Sequence, residues 1–198
     1  AASHDARNLS ARLPPAENFL QYHLVGNVGL ASFSGAHPWA EVAGALESAC
    51  AWARAEADDG RLALLVLVGH WSGAGDGAGD QMPTPRVWRE ARARLPACRS
   101  LGGRLRYAFG HTHCNRPEDD ARGWLVGGHG MSDCGEWGIT LLDTTRGRAK
   151  VLHFPIADES GMDRFREVDG CLRRAGVDGC AEYAQVWLNA SLADIEDG

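Results

Sequence analysis

The apolar positions change period several times along the chain, and each change marks an element. From Tyr22 to Ser34 the text "YHLVGNVGLASFS" interleaves Val, Leu and Phe with glycine. That predicts a pair of short strands or one bent strand. In "PWAEVAGALESACAWARAEA" the residues Trp39, Val42, Ala43, Leu46, Ala49, Cys50 and Ala53 recur at helical spacing, with Pro38 suited to a first turn. "RLALLVLVG" is a short continuous apolar run after the polar "DDGR", the signature of a buried strand ending at Gly69.

The following "SGAGDGAGDQMPTP" is kept out of regular structure by glycine and proline, and its length suggests a working loop. "PRVWREARARL" then predicts a second helix and "RLRYAFG" a strand. "GWLVGG", "WGITLLDT" and "AKVLHFPI" predict three more strands, with turns such as "TTRGR" between them. Strand and helix alternate first and strands follow in series. The expected fold is therefore α/β, a layered β-sandwich flanked by helices. Beyond Ala157 the pattern turns helical and more charged. We read residues 1–21 as an N-terminal segment, 22–157 as the α/β domain, and 158–198 as a helical C-terminal extension without strands, ending in an acidic, mobile tail.

A chain of 198 residues, 44% of them hydrophobic, can bury a sizeable core. Its formal charge of −6, with scattered Lys and Arg and no aromatic stacking ladder, argues against a nucleic-acid footprint. No apolar run approaches the length needed to span a membrane, and "AASHDARNLS" has neither a hydrophobic signal core nor a basic amphipathic pattern. The six cysteines permit disulfides without fixing them: Cys171 and Cys180 could close a short loop, while Cys50, Cys98, Cys114 and Cys134 lie far apart. The triplets Asn8-Leu9-Ser10 and Asn189-Ala190-Ser191 are glycosylation acceptors only if the chain is secreted, a compartment the even cysteine count allows.

The chemistry gathers where strands end. "LVLVGHW" and "RYAFGHTHCN" each break into Gly-His, and the second supplies another histidine two residues on. Side chains at carboxyl ends of strands in α/β folds project into ligand-binding crevices. Imidazoles suit Zn, Fe, Ni or Mn, so His70, His111 and His113 form a candidate metal set. An extended chain through "HTH" would point both imidazoles one way and turn Thr112 aside. Around them, Asp76 and Asp80 in the glycine-rich loop could rim the pocket, Asp76 being nearer His70. Asn115 could donate to a phosphate oxygen. His129 and Asp133 in "GGHGMSD" could form a supporting pair in which the carboxylate orients an imidazole. Cys114 is expected to pack beneath the loop. His153 is read as structural, and Trp71 and Trp88 as core residues.

With "VLVGHW", "YAFGHTHCN", "GWLVGGHGMSD" and "WGITLLDT" in view, the stretch from about Tyr22 to Ile156 resembles the C-terminal half of a calcineurin-like metallophosphoesterase. The resemblance rests on a histidine ending one strand ahead of a Gly-His-x-His signature. The upstream "NVGLASFSGAHPWAEVAGALESACAWA" is similar to the strand and long helix that precede the single-histidine strand in that family, with His37 as a helix-entry residue. The resemblance implies a binuclear centre of Mn, Fe or Zn, with His70 and His111 on one ion and His113 on the other. It also implies hydrolysis of phosphate mono- or diesters by a metal-bound hydroxide, on a small molecule or a phosphorylated substrate.

The family's Asp-x-His, Gly-Asp and Gly-Asn-His motifs have no counterpart here. "SHDAR" reverses His4 and Asp5, and Val28 stands after Asn27 where a histidine would be needed. No catalytic acid can be named. Two cations about 3.5–4 Å apart need a bridging carboxylate that three neutral imidazoles do not replace. The expectation is a partial centre: a fragment of a longer enzyme, a divergent metal-binding or scaffold module with a degenerate site, or a piece completed by a partner segment or chain. The start without methionine favours the first. A mononuclear three-histidine zinc hydrolase is the alternative from within enzymology.

Overall fold

A computed structural model of the chain describes residues 15–71, 82–119, 122–126, 134, 136–158 and 161–196. It is a mixed α/β structure made of two compact units, one running through His111 and taking in Ile195 and Glu196, the other from Thr112 to Asp194. The domain read from the sequence as 22–157 spans both.

In the first unit, β1 (Gln21–Val25) and β2 (Val28–Ser32) form an antiparallel hairpin, so the Gly-rich opening stretch is a pair of strands. The sheet then continues in parallel through β3 (Leu64–Val68) to β4 (Leu105–Phe109). The helix α1 (Trp39–Asp58) connects β2 to β3, and α2 (Thr84–Arg94) with the short α3 (Pro96–Ser100) connects β3 to β4. Both connections are therefore of the βαβ kind, which parallel strands require.

The burial follows from the sequence period. Leu64, Leu65, Val66 and Leu67 are all buried, as a strand covered on both faces must be. The helix α1 buries Val42, Leu46, Ala49, Cys50 and Ala53, one face of a 3.6-residue repeat, and α2 buries Val87, Trp88 and Ala91. The Trp88 indole N–H, which could not be left unmet inside, donates to the Leu105 carbonyl at 3.0 Å. The disulfide Cys50–Cys98 ties α1 to α3, and the Ala97 N–H at the start of α3 donates to the Glu47 carboxylate at 3.1 Å.

In the second unit, β5 (Asn115–Glu118) and β6 (Gly123–Val126) pair antiparallel. A separate sheet holds β7 (Glu136–Asp143), β8 (Arg148–Asp158) and β9 (Gln185–Ser191) in the order β7-β8-β9, all antiparallel. The helix α4 (Phe165–Ala175) packs on β8 around Leu152, Phe154, Val168 and Cys180, and the disulfide Cys171–Cys180 pins it to the 3-10 turn Asp178–Tyr183. A short helix, α5 (Leu192–Glu196), follows β9.

Two expectations are corrected here. The segment 158–198 is not wholly helical, because β9 completes the second sheet through its register with β8. Cys114 does not simply pack: it is bonded to Cys134. The last two residues of the acidic tail lie outside the described residues.

Candidate functional site

The two Gly-His breaks meet because β3 and β4 are parallel neighbours in register. Val68 lies opposite Ala108, so the chains leave the sheet almost level. Backbone pairing continues past the strands: the Gly69 N–H donates to the Ala108 carbonyl at 3.1 Å and the Gly110 N–H to the His70 carbonyl at 3.2 Å. This clamp brings His70 and His111 face to edge, ring centroids 5.0 Å apart, with His111 Nδ1 at 3.0 Å from His70 Nε2.

Glycine before His70 is a packing requirement. A Cβ at Gly69 would lie 2.1 Å from Thr84 Oγ1 and 2.9 Å from Phe33 Cζ. Its absence lets the start of α2 close against the strand end, where the Thr84 N–H donates to the Trp71 carbonyl at 2.9 Å. Trp71 is half-buried and sets its ring edge-on to His70 at 5.3 Å. It flanks the histidine rather than filling the core, whereas Trp88 is buried as expected.

The "HTH" backbone is not extended. His111 has φ 76 and His113 φ 59, both in the left-handed region, which overturns the expectation of a strand-like triplet with Thr112 turned aside. His113 belongs to the second unit and is half-buried. Asn115 opens β5 opposite Val126, and Cys114 beside it is held by its disulfide. Asp76, Asp80, His129 and Asp133 lie outside the described residues. Asn27 sits in the β1–β2 turn, where its carbonyl accepts the Ala63 N–H at 2.7 Å.

His37 is buried against Phe19, and His153 is buried on β8, bonded to Thr140 Oγ1 at 3.0 Å and stacked on Trp187 at 4.8 Å. Gly138 admits this imidazole, since a Cβ there would meet His153 Cε1 at 2.1 Å. Among the described residues no three His, Cys, Asp or Glu side chains converge as a metal site, and no helix is long and apolar enough to cross a membrane. An open groove over the small residues Ala40, Gly44 and Ser48 of α1 includes neither His70 nor His111.

The 3.0 Å separation between the two imidazole nitrogens is a little under the about 3.4 Å that two nitrogens about 2.1 Å from one tetrahedral ion would keep. The same spacing suits a direct hydrogen bond between the rings when one nitrogen carries a proton. Comparisons with protein-family models, with curated proteins and with solved structures gave no match.

Proposed function

We propose that the chain is a metal-dependent domain of the phosphoesterase type, in which His70 and His111 hold one divalent cation. The observation that carries this reading is the 3.0 Å approach of His111 Nδ1 to His70 Nε2 at two matched strand ends. Both nitrogens must then be unprotonated, so His70 carries its proton on Nδ1 and His111 on Nε2. Trp71 limits rotation of the His70 ring, and the backbone clamp from Gly69 to Gly110 fixes the distance. Bound there, a cation of the Mn, Fe or Zn class supplies Lewis-acid polarisation of a phosphoryl group and acidifies water. The metallophosphoesterase-like layering, the role of His113 at a second ion, and a phosphate mono- or diester as substrate rest on the motif resemblance.

Lack of a third converging ligand among the described residues favours a second reading, a metal-binding or scaffold module with a degenerate site, or one that a partner segment completes. One experiment separates them. The chain stripped of metal is titrated with Co²⁺, Mn²⁺ and Zn²⁺, beside His70→Ala and His111→Ala, and aryl phosphate hydrolysis is assayed on the same samples. The phosphoesterase reading expects cation binding that both variants lose, with metal-dependent hydrolysis by the wild type. Binding without hydrolysis supports the module. No binding at all discards the histidine pair as a metal site. Binding is expected to weaken in acid, because protons compete for the same lone pairs.

A further inference from the structure

We infer that Asn189 is an acceptor for an N-linked glycan, attached in an oxidising secretory compartment. Two independent observations converge on it. The first is the side chain itself. Asn189-Ala190-Ser191 has the acceptor pattern with no proline at its centre, and Asn189 is exposed on β9, the outer strand of the β7-β8-β9 sheet. Its Oδ1 accepts from Arg148 Nη2 at 2.8 Å and Nε at 3.1 Å. That bidentate hold engages the oxygen and leaves Nδ2, the atom that is glycosylated, with no hydrogen bond among the described residues. A glycan can therefore extend into solvent without breaking the cross-strand contact with Arg148.

The second observation is the cysteine pairing. All six cysteines are joined, as Cys50–Cys98, Cys114–Cys134 and Cys171–Cys180, with Cα separations of 4.9, 5.4 and 5.9 Å, inside the range a disulfide needs. No cysteine is left free. Three structural disulfides in one chain of this size belong to an oxidising compartment, where N-glycosylation also takes place.

The chemistry balances without a redox step. Asn189 Nδ2 forms a bond to the anomeric carbon of a lipid-pyrophosphate-linked oligosaccharide. The bond from that carbon to the phosphate oxygen breaks, the lipid pyrophosphate leaves with the electron pair, and the amide nitrogen gives up one proton.

The test expresses the full chain behind a secretion leader in eukaryotic cells, in an Asn8→Gln background that removes the other triplet. Secreted protein is treated with peptide N-glycosidase in ¹⁸O water and mapped by mass spectrometry, and thiols are titrated in denaturant. The expected result is an Asp carrying ¹⁸O at position 189, abolished by Ser191→Ala, retained by Ser191→Thr, with no free thiols. Ser191→Ala leaves the Asn189–Arg148 contact in place but removes the hydroxyl that accepts the Asp194 N–H at 3.0 Å, so secretion of that variant with no free thiols is what shows that loss of the glycan is not loss of the fold. Secreted, fully disulfide-bonded protein with unmodified Asn189 overturns the inference. So does a chain retained in the cell with free thiols.

Discussion

At the scale of single residues, the unusual investment is in backbone conformation. Two non-glycine residues with positive φ, His111 and His113, flank one threonine. Histidine tolerates the left-handed region better than most side chains, but the conformation still costs on the order of 1–2 kcal/mol relative to glycine. His111→Gly and His111→Ala both remove the imidazole, and only glycine relieves the backbone. The glycine variant is expected to be the more stable by about 1 kcal/mol in urea unfolding. Equal stability would mean that position 111 carries no strain. The sequence displayed the H-x-H spacing and so located the residues. It could not display their handedness, because φ at a strand exit is set by what the following chain must reach.

Asp143 offers a pH-dependent counterpart at the β7–β8 turn. The Thr145 backbone N–H and then its hydroxyl hold its carboxyl below the ordinary value of 3.8, with burial opposing them and Lys150 and Arg146 adding a weaker pull downward. A carboxyl depressed on folding stabilises the protein above its unfolded pKa, and that contribution fades as pH falls through the lower folded value. The stability gap between wild type and Asp143→Ala is therefore expected to be open at neutral pH and to narrow in strong acid. A gap that is constant with pH would show that the charge plays no part.

At the scale of elements, what the sequence revealed and what it hid divide along physical lines. The helix α1 and strand β3 were legible because burial of one face or of both imposes a strong period. The meeting of His70 and His111 was legible too, since two apolar runs that each end in Gly-His imply neighbouring strands cut to one level. The strand β9 was not: "QVWLNAS" has mixed burial, and its identity comes from pairing with β8 rather than from its own residues. β5 was hidden by Pro117 and its charged neighbours, which demote any strand reading. Cysteine connectivity was hidden for a combinatorial reason, six cysteines allowing 15 pairings in general. The pairings differ in expected weight. Cys50–Cys98 closes 48 residues and Cys171–Cys180 only 9. Loop-closure entropy assigns the longer about 4 kcal/mol and the shorter about 2.6 kcal/mol. Replacing Cys50 and Cys98 by alanine should lower stability by more than replacing Cys171 and Cys180, as read by denaturant unfolding of the two variants.

At the scale of the whole molecule, each of the three disulfides closes within one compact unit: one in the first unit, two in the unit from Thr112 to Asp194. The alternating strand-helix order of the first unit and the strand series of the second were both visible as a change of pattern. The division between His111 and Thr112 was not, because nothing in the local composition changes there. Each unit buries residues of its own: Leu46, Leu64, Leu67 and Tyr107 are buried in the first, and Leu152, Phe154, Val168 and Cys180 form a packed cluster in the second.

The backbone clamp beyond β3 and β4 makes the histidine pair a reporter of local opening. The Gly110 amide, bonded to the His70 carbonyl, can exchange its proton only when the strand ends separate, and separation also takes the two imidazoles apart. On the proposed metal reading, a cation that bridged the rings would bind only the closed form. Its presence should slow exchange at Gly110 in proportion to its excess over the dissociation constant, about tenfold at ten times that value. Amide exchange at this one glycine thus measures occupancy with no substrate present. Exchange that ignores added cation would place any bound metal elsewhere.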